Sequence, residues 1–282
     1  MRSQVLRHLQ RAVSPILHAR NRLLYQCRGI TYRLGSRQRL PGNERLSVIM
    51  PSYARPRNID IILSAVVACD FVSEIIVTNN NPDVPLDRFI HVRDPRIRVV
   101  HQPRRTPASV RFDLSLTASE PWIVAIDDDV FPSARQLRVL FERLLAAPHA
   151  VHGFGGEVWG SPPSAANYQA VLRPRGTVAV GTLIWAFAYT RDHVQSYFDM
   201  LDRLGIVNAE LRASEDVPLS FAGRGPALIH GVGPLCRCPS DSDPEVATWL
   251  RPGFFEHRRE LVSRCMALQS ERDQGGGPDV RR

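Results

Sequence analysis

The sequence contains no lysine: every one of its 36 basic residues is arginine. It has only five cysteines, an odd and scattered set, which excludes a secreted disulfide framework and leaves reduced cytosolic thiols as the expectation. Cys236 and Cys238 stand one residue apart, the wrong spacing for a zinc knuckle. No apolar run reaches the roughly 18 residues of a membrane-spanning helix. The longest, Val178 to Tyr189, reads as buried strand or helix, which argues against an integral membrane protein. Two phosphate cradles are also missing: neither GxGxxG nor a Walker loop follows an apolar strand. There is no internal repeat of fixed period.

What is present is ordinary globular composition, 44% hydrophobic and 23% charged. The net charge of +8 is unevenly placed. Residues 1–45 hold ten arginines and one acid (Glu44), whereas the rest of the chain holds 26 arginines against 27 acids. A basic face for nucleic acid is therefore not expected on the body, and no nucleic-acid partner is expected. Within residues 1–40, Val5, Leu6, Leu9, Val13, Ile16 and Leu17 repeat at helical spacing among Arg7, Arg11 and Arg20, with Pro15 interrupting. Two readings stand: a surface extension, or an interfacial helix drawn to anionic lipid at the cytoplasmic membrane face.

From Leu46 onward, apolar strands alternate with helical stretches. Strands are expected at Leu46–Met50, Glu74–Thr78, Arg96–Val100 and Trp122–Ile126, with helices near 57–68 and 108–118 between them. That alternation predicts a Rossmann-like, mostly parallel sheet flanked by helices. Further helices are expected at 134–146, 191–204 and 255–268, and the Gly153–Gly156 and Gly181 regions read as loops bordering a cleft. The expected organisation is a basic extension over 1–45 and one domain over 46–270, halved at about residue 130. Residues 271–282 are expected to form a disordered tail.

The strongest chemical signal is Asp127-Asp128-Asp129 directly after the strand Trp122–Ile126. Adjacent carboxylates repel unless a cation or hydrogen-bond donors share the site. In an open α/β sheet the C-terminal strand ends are where ligands bind. Hard oxygens of this kind suit Mg²⁺ or Mn²⁺ carrying a diphosphate. The plainer alternative is an acidic turn ahead of the helix that begins near Ser133. A second acidic pair, Glu215-Asp216, opens a short apolar stretch, where it would also serve as a helix cap. Trp159, Trp185 and Trp249 suit either core packing or stacking on sugar faces.

The segments SVIMPSYARPRNI, EIIVTNNNPD and WIVAIDDDVFPS together resemble the nucleotide-binding half of an A-type, DxD-containing glycosyltransferase. The resemblance spans about residues 46–270 and is nearest to the exostosin-like family 64, with the family-two glycosyltransferases next. It implies a nucleotide-sugar site made of Tyr53, Arg55, Asn79, Asn80, Arg111, Asp127 and Asp128. It implies Asp127 at the ribose or metal and Asp129 at the metal, Mn²⁺ or Mg²⁺. In the second half it implies Asp216 as the catalytic carboxylate, Glu215 near the acceptor, and Arg264 as the active-site arginine, with Phe255 in place of a tryptophan. His257 is either a further metal contact or a surface histidine.

The expected activity is transfer of a sugar, such as an N-acetylhexosamine, from a nucleoside diphosphate, UDP above all. The acceptor would be a glycan or a lipid-linked sugar. The rivals are a nucleotidyltransferase, which usually carries a glycine-rich basic loop after its first strand, and a non-catalytic nucleotide- or carbohydrate-binding scaffold. Inverting and retaining outcomes both remain open, because the two resembling families differ.

Overall fold

The structure is a computed structural model that describes residues 23, 25–28, 30–32, 34–211, 213–242 and 246–275. Most of the expected amphipathic leader and residues 276–282 of the expected tail lie outside these residues, whereas residues 271–275, expected as disordered, are the end of a helix.

Nine strands form the main sheet among the described residues. The first half supplies β1 (Leu46–Ser52), β2 (Val72–Asn79), β3 (Ile97–His101) and β4 (Trp122–Ile126). They lie side by side in the order β3-β2-β1-β4, all parallel. Helix α1 (Pro56–Val66) crosses between β1 and β2, with a proline in its first turn. Helix α2 (Val110–Leu116) leads from β3 to β4. A parallel arrangement buries both faces, and β1 is buried along its whole length. All the C-terminal strand ends of this half therefore open on one edge, where Ser52, Asn79 and Asp127 emerge.

After β4 come a two-residue strand, β5 (Val130–Phe131), and helix α3 (Ala134–Ala146). The helix begins where expected because Ser133 and Gln136 form a reciprocal capping box, a motif that contributes about 1 kcal/mol. The second half adds β6 (His152–Trp159), β7 (Tyr168–Val171), β8 (Thr177–Val180) and β9 (Thr182–Thr190). Helix α4 (Arg191–Leu204) follows and ends on Gly205 in the left-handed conformation. Then come the short helix α5 (Asp216–Ser220), β10 (Ala227–His230), β11 (Cys236–Arg237) and the long helix α6 (Phe254–Gly275). The sheet continues β4-β9-β6-β10-β8, with β9 antiparallel to both β4 and β6, so the second half is mixed. β11 pairs with β5 in a separate ribbon beside the Asp triplet.

The Gly153–Gly156 stretch, expected as a loop, is instead the middle of the buried strand β6. Its glycines are there for close approach. A Cβ on Gly156 would lie 2.6 Å from the Thr182 carbonyl, and one on Gly155 would lie 2.7 Å from the Trp185 ring. The Val178–Tyr189 run resolves into β8 and β9, separated by Gly181.

The basic extension is not wholly separate from the body. Tyr32 is buried in the core, and its hydroxyl donates to the Phe131 carbonyl at 2.6 Å. Tyr25 donates to Asn58 Oδ1 at 2.8 Å and packs on the Phe131 ring. Packing thus crosses the expected boundary at residue 45. No described helix is long and apolar enough to cross a membrane.

Candidate active site

Arg111 joins the two halves of the molecule. It lies on α2 and is 1% exposed. Its Nη2 meets Asp127 Oδ1 at 2.6 Å and Glu215 Oε1 at 3.1 Å. Asp127 follows β4 of the first half, and Glu215 precedes α5 of the second. Its Nε donates to the Ala108 carbonyl, and its guanidinium lies 5.4 Å from the centre of the Phe187 ring. Burial opposes the charge, but the neighbouring Asp127 and Glu215 hold the guanidinium pKa above its ordinary value. Glu215 stands at the start of α5, yet its side chain makes no cap there, so the pair is not explained by helix capping.

Burial raises the Asp127 pKa against the pull of Arg111. At Glu215, burial again comes first, with Arg111 opposing and Asp216 and Asp127 adding, and the carboxyl is pushed up to about 7. A carboxyl whose folded pKa lies above its unfolded one costs stability as pH rises between the two values, because the fold must release a proton it holds more tightly than the free chain does. The melting temperature of wild type minus that of Glu215→Gln is therefore expected to fall from pH 5 to pH 8, while the buried His152, His193 and His230, held below their ordinary pKa by burial, act the other way in both proteins. Parallel slopes for the two proteins in a thermal-melt series would exclude this assignment.

Arg55 organises the other two aspartates. Its Nη1 donates to Asp128 Oδ1 at 3.1 Å and lies 3.3 Å from Asp129 Oδ2. Its Nε and Nη2 reach Ser240 Oγ and the Ser240 carbonyl. The Tyr53 amide donates to Asp128 Oδ2 at 3.3 Å, and the Asp129 carbonyl accepts from the Cys238 amide at 2.7 Å. Asn58, which the sequence did not single out, donates to the Asp128 carbonyl at 2.7 Å. The β1 loop, the Asp triplet and the β11 segment thus converge at one place.

Tyr53 is exposed at this edge, with its ring open to a ligand. Asn79 and Asn80 are buried, and their amides hold neighbouring backbone. Asn79 donates to the Val84 carbonyl at 2.9 Å and Asn80 to the Pro107 carbonyl at 3.1 Å. Their visible role is to shape the loops after β2.

Asp216 is held by Arg258 rather than by Arg264. Both Asp216 oxygens accept from the Arg258 guanidinium, at 2.8 and 2.6 Å. Arg258 Nε donates to Glu157 Oε2 at 2.6 Å. Glu157 also accepts from Thr182 Oγ1 at 2.6 Å and from the Tyr168 hydroxyl at 3.0 Å. Arg264 lies at the surface of α6 and donates to the Leu204 carbonyl, and His257 is exposed at the helix start.

Sequence reasoning missed Arg258 and Glu157, but a signal for the arginine existed. Buried Leu261, Val262 and Cys265 define the docked face of α6, and Arg258 stands three, four and seven residues before them. Arg264 is out of that phase. Glu157 sits inside a strand whose glycines had suggested a loop.

Among the described residues no group of three or more His, Cys, Asp or Glu side chains converges as a ready metal cage. The donor chemistry nevertheless fits a hard cation. Mg²⁺-type ions commonly keep their waters and take only one or two carboxylates, with substrate phosphates supplying the rest. Asp129 and Asp127, each ion-paired with an arginine at the same strand end, provide such carboxylates.

Residues 47–182, just under half of the chain, match the model of glycosyl transferase family 2. No curated protein matches the sequence. Among solved structures the chain is similar to the crystal structure of GalNAc-T7 with UDP, GalNAc and Mn²⁺. That similarity is at 12% identity with a TM-score of 0.49, over 69% of this chain and 42% of that one. The chain thus spans less than half the length of that protein. The fold is the expected α/β one, with a parallel first-half sheet flanked by helices in the A-type glycosyltransferase manner.

Proposed function

We propose that this chain is a glycosyltransferase that takes a sugar from a nucleoside diphosphate, UDP above all, and passes it to a hydroxyl of a glycan or lipid-linked acceptor. The observation that carries the reading is Arg111, which ties Asp127 at the end of β4 to Glu215 beside Asp216. One buried guanidinium thus brings together the acids expected at the donor and those expected at the transfer step. The family-two match over 47–182 supports the same reading.

In this reading Tyr53 faces the base, and Arg55 with the Asp128–Asp129 pair receives the diphosphate end. A divalent cation held by Asp129 and Asp127 would offset the negative charge of the leaving diphosphate. Asp216, fixed in one orientation by the two-pronged Arg258 contact, takes the proton from the acceptor hydroxyl as general base. Glu215 lines the acceptor side. A second reading is favoured by that same two-pronged contact, which occupies both Asp216 oxygens. There Asp216 positions or stabilises the oxocarbenium-like sugar in a retaining, exostosin-like course. The anomeric configuration of the product separates the two. The basic leader is assigned to transient contact with an anionic membrane surface.

The test is thermal stabilisation by UDP, GDP, TDP and CMP, each with and without Mn²⁺. A ligand at 100 times its Kd stabilises by about 2.7 kcal/mol. UDP is expected to raise the melting temperature most, with a Mn²⁺-dependent part that Asp129→Ala removes. Free UDP released from a UDP-sugar in the presence of acceptor identifies a transferase, and pyrophosphate release from a nucleoside triphosphate identifies a nucleotidyltransferase. If no nucleotide shifts the melt, the donor-site reading fails and a carbohydrate-binding scaffold takes its place.

A further inference from the structure

Residues 23, 25–28 and 30–32 are helical, and the Leu34 amide continues the turn by donating to the Ile30 carbonyl at 3.2 Å. This helix has two faces. Tyr25 and Tyr32 dock on the body through their hydroxyls, and the Arg28 guanidinium lies over the Tyr32 ring at 5.2 Å. Half a turn away, Leu23, Cys27, Ile30 and Leu34 follow one another at spacings of four, three and four, which places them on one stripe. All four are exposed. Leu23, Ile30 and Leu34, at 62%, 64% and 82%, are the most exposed large apolar side chains among the described residues. Single exposed leucines are ordinary, but a continuous apolar row is a surface suited to a partner.

The charge of the segment selects the partner. No acid precedes Glu44, and Arg20, Arg22, Arg28, Arg33, Arg37 and Arg39 all fall within or beside the apolar row in sequence. Arg37 and Arg39 reach the single carboxylate of Asp70, at 3.2 and 2.9 Å, yet their side chains stay 72% and 82% exposed. An apolar row accompanied only by cations fits an anionic lipid surface, with the row in the acyl boundary and guanidinium groups at the phosphates. A second copy of this chain would cover the row but crowd cations together, with no acid in the segment for the flanking pairs that helix dimers use. A nucleic acid would answer the arginines and leave the apolar row in water.

We infer that the row Leu23, Cys27, Ile30 and Leu34 is a docking face seated in an anionic lipid surface, and that it holds the Asp-triplet loop beside the bilayer. The opposite face of the helix is bonded to that loop. The Tyr25 hydroxyl donates to Asn58 Oδ1 at 2.8 Å, and Asn58 Nδ2 donates to the Asp128 carbonyl at 2.7 Å. The Tyr32 hydroxyl holds the Phe131 carbonyl, two residues past the triplet. One helix diameter, about 10 Å, thus separates the docking face from the loop. That distance suits a lipid-linked acceptor, and this clause alone rests on the transferase reading. The inference deepens the contact assigned above to the basic leader: apolar insertion by named residues, in addition to charge, holds the protein at the surface.

The test is co-sedimentation of the full chain with phosphatidylcholine vesicles, with and without phosphatidylglycerol, at low and high salt. The variant carries Leu23→Gln, Ile30→Gln and Leu34→Gln together, which keeps the charge and changes only exposed positions. Wild type is expected to bind the anionic vesicles at least about tenfold more tightly than the neutral ones. The variant should bind them at least about tenfold more weakly than wild type, because leucine and isoleucine lose the gain of leaving water. Part of the wild-type binding should survive high salt, since apolar contact is not screened. Equal binding by both proteins, abolished by salt, would overturn the inference and leave a contact driven by charge alone. No vesicle binding by wild type would overturn both. A wild-type dimer in light scattering that the variant lacks would assign the row to a second copy instead. A lower melting temperature in the variant, with unchanged vesicle binding, would assign it to residues 1–20 of the same chain. Calorimetric titration with UDP separates this inference from the transferase reading. Vesicle binding without UDP binding would remove the transferase reading and leave the docking face standing, and UDP binding without vesicle binding would do the reverse.

Discussion

Arg258→Ala is expected to destabilise the protein by about 3–5 kcal/mol, the usual cost of removing one partner from a buried ion pair. The size follows from what the substitution leaves behind. Glu157 and Asp216 are both buried, and Arg258 contacts them at 2.6 Å on either side. Without it, two carboxylates would face each other's charge with only Thr182 and Tyr168 as donors to Glu157. Arg258→Lys keeps a charge but cannot make the two-pronged contact, so an intermediate loss is expected. Urea unfolding measures the effect, and a loss below about 1 kcal/mol would mean that water reaches the cluster. At a temperature where the variant stays folded, turnover should fall while UDP affinity holds. That split distinguishes positioning of Asp216 from general structural support.

On the proposed general-base reading, Asp216→Asn is expected to carry the largest catalytic effect. Loss of a general base typically costs a factor of about 10² to 10⁴ in turnover. The amide is nearly the same size and can still accept one hydrogen bond from Arg258, whose contact with Glu157 is independent of it. The fold and UDP binding should therefore survive. Steady-state UDP release from the preferred UDP-sugar measures the loss, with calorimetric UDP titration as the control. A variant retaining more than a tenth of wild-type turnover would remove Asp216 from the chemical step and bring Glu215 forward. Its carboxyl, raised to about 7, is a suitable proton acceptor near neutral pH.

The legible parts of this molecule are those where local chemistry and tertiary context agree. The strand Trp122–Ile126 ends where three aspartates interrupt the apolar run. Helix Ala134–Ala146 starts at a serine with a glutamine three residues on. Arg191–Leu204 stops at a glycine that takes the left-handed conformation. The reading failed where a residue's role depends on a distant neighbour. Gly155 looks like a loop residue until the Trp185 ring is placed against it. The Val84 and Pro107 carbonyls on the amides of Asn79 and Asn80 are likewise visible only once the loops after β2 are folded. Four arginines in the last helix are alike on paper, and only the face that docks selects Arg258. Asp127, Glu215, Asp216 and Arg111 each stand out in the sequence, but their convergence is a property of the fold.

The Arg258–Asp216 contact spans 42 residues of chain and is closed by the last helix. During synthesis Asp216 and Glu157 leave the ribosome well before the arginine that neutralises them. The second half cannot complete its core until Arg258, Leu261, Val262 and Cys265 have emerged, so a nascent chain stalled short of that point would display the Asp triplet and its loops with Glu157 and Asp216 unpaired. Premature termination between the acid pair and α6 would yield a protein lacking the guanidinium on which both carboxylates depend.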